Sequence, residues 1–205
     1  MALFVKKNQK QIKNNQIIIV SGLPRSGTSM LMRMLEAGGL EILTDKIRKA
    51  DTDNPKGYYE FELVKKLETD KSWLPTAKGR VVKIISMLLQ HLPSDNTYKI
   101  LFLKRNIQEV LASQKQMLIR RGEPADKISD KELTGIYKKH LHQVIRWLSN
   151  QASFDVLYVN YNDIVTAPHK YSKKIDQFIG GHSNVENMAN VVDTSLYRQR
   201  SKISA

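Results

Sequence analysis

The chain contains no cysteine among its 205 residues. Disulfides, thiolate metal sites and cysteine nucleophiles are therefore excluded. Histidine is scarce, with five in all, and His140 and His142 stand two apart in a segment patterned as helix. They point to different faces, and no metal site is expected. No apolar run approaches the ~20 residues that a membrane-spanning helix requires. The stretch 1–16 lacks the apolar core of a secretory signal, so the expected location is the cytoplasm. Acidic residues are outnumbered, 20 against 33 Lys and Arg, for a net charge of +13. That balance favours anionic partners. It comes without interleaved aromatics or a nucleic-acid motif, and nucleic acid is not the expected partner.

What is present suits one α/β domain with a sizeable core: 41% of residues are hydrophobic and 26% charged. Four short apolar runs, 16–21, 80–85, 99–104 and 155–161, read as strands separated by helical patterns. That alternation predicts a central parallel sheet flanked by helices. Gly38 and Gly39 stop the first helix, and 44–57 reads as a long polar loop before a helix near 60–69. Asn106-Ile107-Gln108-Glu109 resembles a capping box opening a helix that ends near Gly122. Further helices are expected over 130–150, 168–179 and 185–192. The basic segment 1–15 is expected to be flexible, with the domain over 16–200 and a tail over 201–205.

The most informative stretch is Ile17-Ile18-Ile19-Val20-Ser21-Gly22-Leu23-Pro24-Arg25-Ser26-Gly27-Thr28-Ser29. Four β-branched residues make a buried strand, and Met30, Leu31, Met34 and Leu35 then repeat at helical spacing. Between them Gly22 and Gly27 bracket a loop at a helix N-terminus, where uncapped amides and the helix dipole attract a phosphate or sulfate. The spacing fits a Walker-type GxxxxGx[ST] loop, except that Thr28 stands where the Walker lysine would be. Arg25 supplies the positive charge instead, which argues against nucleoside triphosphate chemistry.

Pro24-Arg25-Ser26-Gly27-Thr28-Ser29 resembles the 5′-phosphosulfate loop of the sulfotransferases, in a variant most similar to tyrosylprotein and bacterial members. The resemblance implies a P-loop-like sulfotransferase fold and 3′-phosphoadenosine 5′-phosphosulfate (PAPS) as sulfuryl donor, with adenosine 3′,5′-bisphosphate as product and no metal. Arg105 at the end of the third strand, followed eight residues later by Ser113, is similar to the family's 3′-phosphate motif. An arginine and a helix hydroxyl can together meet a single phosphate. Lys83 resembles the lysine that stabilises the departing phosphate, and Leu92-Pro93 is similar to the family's Leu-Pro pair. A buried unpaired ammonium is costly, so Lys83 is expected at the strand's carboxyl end, where parallel sheets bind ligands. Tyr161-Asn162-Asp163-Ile164 resembles the family's Tyr-Glu-Asp-Leu, with Asn162 in place of glutamate; Tyr161 reads either as an adenine contact or as a core aromatic. The segment from Ser195 to Arg200, including Arg198, looks like the family's closing basic segment, which adds contacts to the 3′-phosphate.

The general base departs from the small-molecule members, which place a histidine two residues after the strand lysine; this chain has Ile85 there. Glu60, in the bacterial-like Asn54-Pro55-Lys56-Gly57-Tyr58-Tyr59-Glu60, and Asp45, placed as in the tyrosylprotein enzymes, are the candidates, with His91 a distant third. Tyr58, Tyr59 and Phe61 would frame Glu60 with apolar surface that raises a carboxylate's pKa toward a useful range. The expected reaction is transfer of the PAPS sulfuryl group to a hydroxyl or amine acceptor. The acceptor class (glycan, peptide tyrosine, lipid or small molecule) stays open, as do a P-loop kinase or NTPase and a non-catalytic nucleotide-binding protein as alternatives.

Overall fold

Residues Ile17–Val20 alternate between two apolar layers, and that alternation sets the architecture of the computed structural model, which describes residues 15–197. Strand β1 (Gln16–Gly22) is central, with β2 (Val81–Lys83) on one side and β3 (Thr97–Lys104), then β4 (Phe154–Asn160), on the other. All pairings are parallel. Ile17 and Ile19 face one core with Val82, Tyr98, Ile100 and Phe102, closed by Trp73, Leu74 and Leu148. Ile18 and Val20 face the other with Leu101 and Leu103. Helix α1 (Thr28–Ala37) covers that second face through Leu31, Met32, Met34 and Leu35. Burial on both faces explains why the strands read as continuous apolar runs rather than alternating ones.

The short helix α2 (Leu74–Ala77) precedes β2. Beyond β3 come α3 (Ile107–Arg120) and α4 (Asp130–Leu148). After β4 follow α5 (Tyr161–Thr166), α6 (Pro168–Ile179) and α7 (Val185–Asn190). The segments 1–14 and 198–205, and with them most of the expected flexible start, Arg198 and the tail, lie outside the described residues. No helix among the described residues is long and apolar enough to cross a membrane.

Several boundaries differ from expectation for local reasons. β2 stops at Lys83, and after Ile84 and Ile85 the chain enters a 3₁₀ turn, Ser86–His91. β4 stops at Asn160, and Tyr161 opens α5. The helix expected near 60–69 is a single 3₁₀ turn, Glu62–Lys66. α4 ends at Leu148, two residues short. Asn106 caps α3 by accepting from the amide of Gln108, but Glu109 does not complete a capping box. It is buried and pairs with Arg105 at 2.9 Å, because an arginine in a nearly closed site requires a counter-charge.

The order β2-β1-β3-β4 makes the crevice between the carboxyl ends of β1 and β3 a topological switch point, the usual ligand position in such sheets. Gly27 sits there with φ 101°, and a Cβ would meet the Tyr161 ring at 2.3 Å. Gly39 has φ 94° with open space around it. Both Gly27→Ala and Gly39→Ala should carry the backbone cost of a positive φ, about 1–3 kcal/mol. Gly27→Ala should cost at least about 1 kcal/mol more by urea denaturation, through the clash. Equal losses would mean that Tyr161 is not fixed against the loop.

Candidate active site

The carboxyl ends of three adjacent strands deliver three cations to one cavity of about 300 Å³: Arg25 after β1, Lys83 at the end of β2, and Arg105 after β3. The cavity wall carries eight Lys and Arg side chains against three carboxylates, Asp53, Glu60 and Asp193. Pro24, Gly27, Thr28 and Ser29 form its floor. No side chain caps α1, so its first-turn amides remain available to a ligand. Gly22 and Ser26 are not in the wall. They build the loop from behind: Ser26 is buried, and its hydroxyl would stand 2.6 Å from a Cβ on Gly22.

Arg25 adopts φ 69°, unusual for a residue with a side chain. From that position its Nε donates to Ser113 Oγ at 3.0 Å and its Nη2 to the Asp53 carbonyl at 3.1 Å. Burial foremost, with the Arg105 cation adding to it, lowers the Arg25 pKa. Arg105 Nη1 donates to the Arg25 carbonyl at 3.1 Å, and its guanidinium lies 4.4 Å from the Tyr161 ring centre. Glu109 also accepts from Tyr197 Oη at 2.6 Å, and Asn162 Nδ2 donates to the same Tyr197 oxygen at 2.9 Å. Tyr161 packs in the core with α1 and also lines the cavity.

Across the cavity, Lys83 donates to the Tyr58 carbonyl and stands 3.9 Å from Glu60 Oε1. Arg48 Nη1 donates to the same oxygen at 2.8 Å, its guanidinium 3.3 Å above the Tyr58 ring. The surroundings of Glu60 are thus more cationic than apolar. Of the expected frame, Phe61 turns away to pack on Trp73, and Tyr59, at φ 55°, reaches back to Glu36. Asp45 is not in the cavity wall. Its Oδ1 accepts from the Ile47 amide at 3.1 Å and its Oδ2 from the Glu62 amide at 2.6 Å, while Thr44 Oγ1 donates to the Glu60 carbonyl at 2.8 Å. These bonds hold the backbone on which Glu60 sits. His91, exposed in part, is also outside the wall.

The sequence reading missed Arg48, Asp53, Glu109 and Arg120. Asp53 accepts from Arg120 at 2.6 Å and ties the polar loop across the cavity mouth. Only Glu109 carried a local signal, its i,i+4 spacing from Arg105.

This geometry defines an anion-binding α/β protein of the P-loop-like kind. The family model described as "Sulfotransferase domain" matches residues 15–204, and the chain belongs to that family. Its members transfer the sulfuryl group of PAPS to an acceptor, and this chain is an enzyme of that kind. The fold is shared with mouse sulfotransferase SULT7A1 complexed with PAP, at 18% identity, 93% of this chain, 69% of that one and TM-score 0.55. It is shared also with the sulfotransferase domain of the Synechococcus PCC 7002 olefin synthase, at 15% identity, 97% and 93% coverage and TM-score 0.54. The sulfotransferase domain from the curacin biosynthetic pathway matches at 14% identity, 93% and 92% coverage and TM-score 0.52. No match was found among curated proteins.

Lys83 gives the site a measurable pH signature. Burial pushes its pKa down from 10.5 to about 8, despite the opposing pull of Glu60. Below about pH 8 both folded and unfolded chains hold the proton, and the cost of burying the charge is fully present. Between about 8 and 10.5 the unfolded chain holds the proton while the folded chain releases it, so this contribution to stability rises with pH. Lys83→Met removes the buried ammonium. Its stability advantage over the parent chain should shrink from pH 8 to 10.5 in chemical denaturation; a difference constant with pH would contradict the buried charged lysine.

Proposed function

We propose that the cavity performs in-line sulfuryl transfer with the following division of labour. The loop amides and Arg25 hold the 5′-phosphosulfate end of the donor, and Arg105 with Ser113 holds the 3′-phosphate. Tyr161 lies against the adenine, and Arg198 adds charge beside the 3′-phosphate. Protonated Lys83 offsets charge on the leaving phosphate. Glu60 accepts the proton of the acceptor hydroxyl through Oε2, as Oε1 is held by Arg48. The sulfur–oxygen bond to phosphate breaks as the bond to the acceptor oxygen forms, and the proton moves to Glu60. Positioning and preorganised charge supply the catalysis.

The observation that carries this reading is the convergence of Arg25, Lys83 and Arg105 from three neighbouring strand ends on one open cavity. Arg33 adds to it: Nη2 donates to the Val191 carbonyl at 2.7 Å, yet Nε is buried with no partner among the described residues. An anion-rich donor fits such a wall. Asp45 is the second candidate base; the engagement of its carboxylate by two backbone amides supports preferring Glu60. The same proposal includes a catalytic domain over 16–200, a cytoplasmic location and kinship with bacterial members, the last supported by the segment from Asn54 to Glu60.

Adenosine 3′,5′-bisphosphate should bind much more tightly than AMP in calorimetry. Arg105→Ala should lose about 2 kcal/mol of that preference, roughly 30-fold, and Ser113→Ala less. Equal affinities in the parent chain would remove the 3′-phosphate site. For the base, Glu60→Gln should slow turnover roughly 10²–10⁴-fold, with any acceptor found in a panel of alcohols, phenols and sugars, while bisphosphate affinity barely moves. Full turnover in Glu60→Gln, with loss in Asp45→Asn, would reverse the assignment.

A further inference from the structure

A second cavity of about 450 Å³ lies beside the site. One side comes from the 3₁₀ turn after β2, with Ser86, Met87 and Gln90; the other comes from α4. His140, Gln143, Val144 and Trp147 stand at i, i+3, i+4 and i+7, one face of that helix. None of these seven side chains carries a fixed charge. Ser86, almost fully buried, shares a 2.8 Å hydrogen bond with His140 Nε2, and burial lowers the imidazole pKa. The wall is therefore neutral: an indole and a thioether, surrounded by a hydroxyl, an imidazole and two primary amides.

That composition selects a ligand class. A charged ligand would lose hydration here and meet no counter-charge. A purely apolar one would cover the Gln143 amide without offering it a hydrogen-bond partner. A neutral polyhydroxylated ring satisfies both surfaces, its C–H face on Trp147 and its hydroxyls on the amides and the imidazole. The two cavities flank the same stretch of chain. Ile85 lines the first cavity and Ser86, the next residue, lines the second. Lys83 and Ser86 are three residues apart, so their backbones lie within about 10 Å, the scale of two linked sugar rings.

We propose that the cavity between Ser86 and Trp147 is a subsite for a neutral sugar ring of the acceptor, which is then a neutral oligosaccharide or glycoside presenting one hydroxyl to Glu60. The catalytic half of this statement rests on the sulfotransferase reading; the sugar-binding half does not.

The chain's two tryptophans make the test direct. Trp73 is buried in the core, whereas Trp147 lies in the cavity wall, so ligand-dependent fluorescence reports on Trp147. The full chain is titrated with cellobiose, maltose, lactose and sucrose, with digalacturonic acid and 1-octanol as charged and apolar controls. Adenosine 3′,5′-bisphosphate binding is measured in parallel by calorimetry. At least one neutral disaccharide should give a saturable change that Gln143→Ala weakens about tenfold. Trp147→Phe should abolish the signal and leave bisphosphate binding intact. Saturation by digalacturonic acid or octanol alone, or by none of the compounds, overturns the subsite. If the bisphosphate still binds in that case, the donor site stands and only the sugar assignment fails; loss of bisphosphate binding would instead count against the sulfotransferase site.

Discussion

The parallel register of β1 between β2 and β3 is the constraint on which the site depends. Val20 pairs with Lys83, the last residue of β2, and Gly22 with Leu103, next to the last residue of β3, so the three strands stop near one another and the side chains at their ends share one crevice. A strand buried on both faces tolerates no slip, because a shift of one residue would exchange the two faces and drive Lys83 into the opposite layer. The two apolar layers of β1 and β3 fix that register, and the chemistry follows from where the strands stop.

Three cations brought together in this way repel one another and lose hydration. The fold answers with a few carboxylates, each in a specific place. Glu109, nearly inaccessible, neutralises Arg105. Glu60 stands between Arg48 and Lys83. Asp53 ties Arg120 while its carbonyl receives Arg25. An excess of positive charge remains in the wall, and burial foremost, with neighbouring cations adding to it, lowers the pKa values of Lys83 and Arg25. In the proposed function an anionic donor relieves the cost of that charge, and the same groups that destabilise the empty fold would supply binding and charge stabilisation during transfer. The positive φ angles of Arg25 and Tyr59 fall in the two segments that frame the cavity, where strain is held by surrounding bonds.

The central strands and the loop from Gly22 to Ser29 were legible in the sequence because each rests on local pattern: β-branched runs, paired glycines and a helical repeat. Lys83, Arg105 and Ser113, which do line the cavity, were picked out by the family resemblance together with a strand end or a helix spacing. What escaped depends on distant partners. The Asp53–Arg120 bond joins residues 67 apart, and nothing near either one signals the other. The aromatic frame assumed for Glu60 failed because the positive φ at Tyr59 sends its ring back to Glu36 and Phe61 packs on Trp73, while Arg48 arrives from an earlier loop. Glu109 was misread because a helix-start glutamate suits a capping box as well as an ion pair, and only burial of Arg105 decides between them.

The most direct test of this account is a crystal structure of the complex with adenosine 3′,5′-bisphosphate. The 5′-phosphate should lie on the amides of Gly27 to Ser29 with Lys83 in reach, and the 3′-phosphate should meet Arg105 and Ser113. A bisphosphate bound with its 3′-phosphate away from Arg105, or seated outside the crevice between β1 and β3, would contradict the central claim that the strand ends form the donor site.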